Sequence, residues 1–207
     1  MPDLRPFVAL VLVSMLSSLS AQASAQASAE WRAEKEENGI RIESRAVPGW
    51  EIREMRGTAH FDGDVQSLVA VIEDVSVAPQ LNEFVVESKV VQRDSESRYR
   101  VYTLTKMPWP LKDRDVLMQR VIERDPHSGA VTITDSALAE GVPEKKGLVR
   151  IVRSHNRWTL TPTAEGGVQI ELLMLSDPAG PIPTSIINSM SVNTPLKTLN
   201  ELIKLAS

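Results

Sequence analysis

The stretch from Asp177 to the C-terminus constrains this chain most. Asp177-Pro178-Ala179-Gly180-Pro181-Ile182-Pro183 is a turn-rich stop that runs straight into a helical pattern from Thr184 to Leu205. Pro183 suits a first helical turn, where a missing N–H costs nothing. Ile182, Ile186, Ile187 and Met190 fall close together on one helical face. Beyond Pro195, Leu196, Leu199, Leu202 and Ile203 form a second stripe at i, i+3, i+4 spacing. On a straight helix the two stripes differ in phase. The helix therefore either bends near Pro195, where a backbone donor is lost, or is apolar on two sides. A helix with both needs fits a lid, one part closing over an apolar interior while the other anchors it. An ordinary amphipathic helix with a proline kink fits the same pattern.

What precedes that helix must supply the rest of a core. With 207 residues one domain is expected, and a net charge of -4 gives no support for a nucleic-acid partner. The absence of cysteine excludes a disulfide framework, thiolate catalysis, Cys-ligated metal and a lipoprotein anchor. The amino terminus is different material. Arg5, the short apolar run Phe7 to Leu16 and the Ala-x-Ala pattern between Ala21 and Ala29 read as a secretory signal peptide. That run is too short to anchor stably across a bilayer. Residues 1–29 are thus expected to be a leader cleaved between about Ala23 and Ala29. The mature domain then spans 30–207 and is exported, to a periplasm or to the medium.

Trp31 to Asn38 is short and charged, and with Gly39 as a stop it reads as a helical turn or two pinned by Trp31. Ile40, Ile42 and Ser44 alternate with Arg41, Glu43 and Arg45, a strand pattern. A second strand runs from Trp50 to Phe61, and its alternation breaks at Gly57, where a bulge is expected. Asp62-Gly63-Asp64 opens a helix whose Val65, Leu68, Val69, Ile72 and Val75 share a side. From Val85 onward strand follows strand: Val85 to Arg93, Tyr99 to Lys106, Arg114 to Glu123, Ala130 to Leu138, Leu148 to Pro162 and Gly167 to Ser176. Consecutive strands joined by hairpin turns make an antiparallel sheet. The fold class is α+β: a twisted sheet wrapped around the C-terminal helix, with the space between packed solid or left hollow.

Two motifs carry a family resemblance. Met107-Pro108-Trp109-Pro110-Leu111-Lys112-Asp113-Arg114-Asp115-Val116 resembles the central motif of START domains, the steroidogenic acute regulatory protein-related lipid-transfer family. Asp177 to Pro183, running into Ile186-Ile187-Asn188 and Thr194-Pro195-Leu196, resembles that family's C-terminal signature. The resemblance covers about Glu30 to Ala206 and implies a helix-grip fold of the START and Bet v 1-like kind. It implies a sheet enclosing a tunnel for one lipid, gated by the terminal helix and neighbouring loops. In the sterol-binding branch an arginine six positions after the motif arginine points into the cavity, which here falls on Arg120. No acidic partner is evident for it; Val101 stands where one would be sought.

A lipid carrier needs an apolar enclosure with one or two polar contacts for a head group. Arg120 is the first candidate contact and Arg114 the second, both on one side of a strand; either could equally make an interstrand or surface salt bridge. Trp109 is a gate-edge aromatic or a core plug. Ile186, Ile187 and Met190 are cavity wall or plain core. Asp113 and Asp115 form an i, i+2 pair that Lys112 and Arg114 neutralise, and Lys145-Lys146 reads as a solvated loop. His60, His127 and His155 lack the spacing of a zinc helix, and no nucleophile elbow or phosphate-cradling loop occurs. No catalytic residue, metal or cofactor is therefore expected. The partners expected are one hydrophobic molecule and, transiently, a membrane, with the protein a monomer. Rival readings are a cyclase-like enzyme on the same fold, using Tyr102 or His155, and an envelope-binding module with a solid core.

Overall fold

The computed structural model describes residues 30–182 and 184–207, and for Thr184, Ser185 and Asn188 to Met190 the backbone alone. The expected leader, Pro183 as a first helical residue and the Met190 side chain lie outside the described residues. Strands β1 (Arg32–Glu37), β2 (Ile40–Ala46) and β3 (Arg53–Phe61) lead into helix α1 (Val65–Glu73), a short 3-10 turn and α2 (Ala78–Leu81). Strands β4 (Val85–Ser95), β5 (Arg98–Thr105), β6 (Arg114–Arg124), β7 (Val131–Ala137), β8 (Val149–Ile151), β9 (Ser154–Pro162) and β10 (Val168–Ser176) follow, and α3 (Thr184–Ala206) ends the chain.

The sheet runs β1-β2-β3-β10-β9-β7-β6-β5-β4, all antiparallel along that path. One core joins its distant parts: Ile40 and Ile42 of β2, Tyr99 and Val101 of β5, and Leu196, Leu199 and Leu202 of α3 belong to the same buried cluster. Residues so far apart along a sheet share a core only if the sheet curves around what fills it. The expected helix-grip arrangement is what forms.

Asp64 caps α1 as its sequence position suggests, accepting a hydrogen bond from the Ser67 N–H at 2.9 Å. Such a cap is worth about 1 kcal/mol. Val65, Leu68, Val69 and Ile72 are the buried side of that helix. The rear of α3 is sunk deeper still, with Leu199 and Leu202 fully buried. Each leucine so buried contributes roughly 1.5–3 kcal/mol relative to exposure.

Three expectations are corrected. The stretch from Trp31 to Asn38 contains strand β1 (Arg32–Glu37) rather than a helical turn, because pairing with β2 outweighs local propensity. Trp31 lies outside the strand, with the guanidinium groups of Arg45 and Arg56 over its ring at 4.4 and 4.2 Å. Leu148 to Pro162 is two strands, not one. β7 pairs with β6 only from Met118 onward, which leaves the Arg114–Val116 edge open, and β8 fills it in parallel. No bulge forms at Gly57, since both neighbouring ladders pass through it in register. Its lack of a side chain serves the helix instead. A Cβ at Gly57 would stand 2.6 Å from Leu199 Cδ1 and 3.5 Å from Pro195 Cβ.

Gly57→Val should therefore push α3 off the sheet. Overpacking of this kind costs roughly 1–3 kcal/mol, to be read as a lowered denaturation midpoint with an unchanged slope. An unaltered midpoint would show that the helix does not depend on this contact.

Candidate functional site

A cavity of about 220 Å³ lies between the sheet and the front of α3, walled among others by Ile52, Met55, Phe84, Met107, Ile182 and Ile187. A second, of about 160 Å³, lies toward α1 and α2 and is walled among others by Ile72, Leu81, Val101, Trp158 and Leu172. Asn82 and Met174 belong to the walls of both. The interior is thus hollow on either side of these two residues, and the hollow is mostly apolar. Its existence follows from the helix height. Gly57 lets the rear of α3 touch the sheet, while the same face of β3 carries Met55 and then Arg53 alongside the first cavity.

Arg114 starts β6 at the wall of the first cavity and is only 3% exposed. Instead of a carboxylate it finds backbone carbonyls. Nε donates to Pro178 O and Nη2 to Ala179 O, each at 3.2 Å, and Nη1 donates to Lys112 O. These bonds tie the turn before α3, where Ala179 has φ of 54°, to the sheet. Burial pushes the Arg114 guanidinium below its ordinary value, and the neighbouring charge of Asp113 opposes this.

Arg120 faces the second cavity and does have an acidic partner. Its Nε and Nη2 donate to the two oxygens of Asp135, each at 2.8 Å, and Nη1 donates to Ile72 O at 2.6 Å. The interstrand salt bridge that the sequence allowed for Arg120 forms, with an acid from a strand other than that of Val101. Val101 lies on β5, on one side of β6, whereas the acid comes from β7 on the other, directly across from Arg120. Burial alone would lower the Arg120 pKa, but Asp135 more than offsets it and the net shift is upward. Asp135 shares the inward side of β7 with Val131 and Ile133. A carboxylate in an apolar register was the signal that could have revealed it.

The remaining candidates scatter. Trp109 is 92% exposed, so it is no core plug, although Met107 in the same loop lines the first cavity. Ile187 lines that cavity, while Ile186, at 41% exposure, is neither wall nor core. Asp113 accepts a hydrogen bond from the Met107 N–H at 3.0 Å. Asp115 is buried on the other side of the sheet, gripped by Arg150 at 2.8 and 2.9 Å and by the Tyr102 hydroxyl at 3.2 Å. Burial would raise the Asp115 pKa, yet the Arg150 contacts hold it below the usual carboxylate range. Lys145 sits over the Tyr102 ring at 4.5 Å. The wall residues that sequence reasoning missed include Arg53, Asn82, Phe84 and Met174, whose patterns are those of any strand or loop. Among the described residues no group of His, Asp and Glu gathers in a way that could hold a metal ion.

Removing one member of a buried pair leaves the other charge uncompensated, at roughly 3–5 kcal/mol. Asp135→Ala should lose stability on that scale, measured by chemical denaturation. A loss below about 1 kcal/mol, the scale of an exposed pair, would mean that water reaches Arg120.

Comparison with known proteins places this geometry. A family model described as the START domain matches residues 17–206. An uncharacterized protein of Pseudomonas aeruginosa is 28% identical over 172 residues, covering 83% of this chain and 84% of that one. The phosphatidylcholine transfer protein of Mus musculus is 24% identical over 178 residues, covering 84% of this chain and 82% of that one. The crystal structure of a STAR-related lipid transfer protein from Xanthomonas axonopodis superposes with a TM-score of 0.77 at 31% identity, covering 85% of this chain and 98% of that one. With a sheet closed on its terminal helix and a hollow between them, the chain belongs to the START domain family.

Proposed function

We propose that this protein holds one hydrophobic molecule between the sheet and α3 and carries it between membranes. The observation that carries the reading is the pair of apolar cavities meeting at Asn82 and Met174. The relatives' names as lipid and phosphatidylcholine transfer proteins support it. Each methylene removed from water is worth roughly 0.8 kcal/mol, so a chain of about sixteen carbons resists leaving a bilayer by on the order of ten kcal/mol. A second apolar enclosure offsets most of that cost, and no bond needs to be made or broken.

The two halves of α3 divide the work. The rear half, from Pro195 to Leu202, is the anchor. The front half, with Ile187 against the first cavity and Ile186 outside, is the movable roof, and the Met107 to Trp109 loop forms its rim. Trp109 and Ile186, both exposed, are the apolar side chains through which this edge meets a membrane. The cyclase reading finds less support. Tyr102 is bonded to Asp115 away from both cavities, and His155 is exposed beside Ser136. The ionisable groups on the cavity walls do not gather into a cluster: Arg120 pairs with Asp135, Arg114 with carbonyls, Arg53 through Nε with Ser44, and Asp74 with Ser76.

Native mass spectrometry of the purified protein should show one bound lipid, and the protein should take up a fluorescent fatty-acyl probe. Met174→Trp, which fills the junction of the cavities, should lower probe affinity by about ten-fold or more, equivalent to 1.4 kcal/mol. No lipid in the first measurement and no uptake in the second would end the carrier reading. We further propose that residues 1–29 are an export leader. N-terminal sequencing of the protein from its native cells should begin between Ser24 and Glu30; an intact Met1 in all of it would overturn export by cleavage.

A further inference from the structure

The first cavity is electrically lopsided. Its wall includes the guanidinium groups of Arg53 and Arg114 and no carboxylate. The second cavity differs, since Asp135 neutralises its Arg120. Arg114 spends its donors on carbonyl oxygens, which leave the positive charge in place. Asp113 opposes part of that charge but directs its carboxylate to the Met107 N–H.

Arg53 is placed differently. It belongs to the first cavity and also to a more polar hollow of about 460 Å³ between β1 and α3, lined by Arg32, Glu34, Ser44, Arg53, Met55, Ser191 and Val192. Arg53, Met55 and Ser191 are common to the two spaces. The half-buried Arg53 guanidinium thus stands where an apolar chamber passes into a polar one. Its Nε donates to Ser44 Oγ at 2.7 Å, and Nη2 makes a long contact of 3.4 Å with Ser44 O. Among the described residues no carboxylate lies within ion-pair distance of it. The nearby acid, Glu34, accepts from Ser44 Oγ at 2.6 Å and has Arg32 at 3.8 Å. Among the described residues the rest of the Arg53 fork makes no other hydrogen bond. A guanidinium fork matches the paired oxygens of a carboxylate or phosphate, and water-poor walls strengthen that attraction.

We infer that the cargo is an amphiphile with an anionic head, a carboxylate or a phosphate ester, seated on Arg53 at the β1–α3 hollow with its tail running past Met174. This rests on the carrier reading above and specifies its ligand class. A protein whose overall charge is -4 would otherwise have little reason to place guanidinium groups without a carboxylate partner around an oily chamber. The head lies on the β1 side of α3, away from the Arg120–Asp135 pair.

The test is calorimetric binding of palmitate, hexadecyl phosphate, hexadecanol and inorganic phosphate to the purified protein. Palmitate or hexadecyl phosphate, or both, should bind at least about ten-fold tighter than hexadecanol, as expected of a hydrogen bond to a charged group. The tighter of the two identifies the head. Inorganic phosphate, a head without a tail, should not compete. Arg53→Gln should bring the anion-to-alcohol ratio within about two-fold, and Arg53→Lys, which keeps the charge but not the fork, should keep part of it, with both variants showing the wild-type circular dichroism spectrum. Equal binding of the alcohol and the anions, or a ratio unchanged in Arg53→Gln, overturns the inference and leaves the carrier reading standing. Competition by inorganic phosphate alone overturns the amphiphile. Binding of none of the chain-bearing probes overturns the carrier reading and this inference with it.

Discussion

The structure depends on how closely one helix can approach one strand. At Gly57 nothing stands between β3 and α3, and Leu199 occupies the space that a Cβ would need. Leu196, Leu199 and Leu202 are buried as a result, and the terminal helix is fixed against the sheet at that end. Further along the same face of β3 stand Met55 and Arg53, and the helix above them lies over empty space. Contact at one end and separation at the other follow from three alternate positions of a single strand. Protein interiors are otherwise close-packed, so a hollow of this size persists only because both of its walls are held from elsewhere.

Charge is distributed around that hollow with as much local detail as volume. Each arginine on the inner walls has a different kind of partner: a carboxylate for Arg120, backbone carbonyls for Arg114, a serine for Arg53. The Arg120 bond to Ile72 O also ties the end of α1 to β6, so one side chain joins the roof of the second cavity to its wall. Buried ion pairs contribute little net stability against apolar replacements, and their frequent use is to fix geometry. On the other side of the sheet Arg150 plays a similar part, reaching Asp115 and the carbonyls of Val142 and Pro143. That arrangement holds the long connection between β7 and β8 flat against the strands.

Much of the fold could be read from the chain because its signals are local. The alternation of Val168, Ile170 and Leu172, the Asp64 cap and the leucine spacing after Pro195 each determine an element without help from distant residues. Where reading failed, a distant residue decided. Trp31 to Asn38 has the composition of a helical turn, yet β2 offers it a ladder of hydrogen bonds. Gly57 looks like a break in a strand until Leu199 is placed above it. The acid that pairs with Arg120 could not be named because strand order, which no local pattern reveals, brings β7 rather than β5 to supply it. The wall residues were harder still. Met174 and Arg53 are ordinary strand positions, and their importance comes only from being shared between neighbouring spaces.

The continuity of α3 has a consequence for any cycle of loading and release. Its buried rear and its front over the cavity belong to one uninterrupted helix, Thr184–Ala206. Whatever opens at the front remains tethered by a pivot already sunk in the interior. Reclosure is then a unimolecular event, proceeding at a rate independent of dilution.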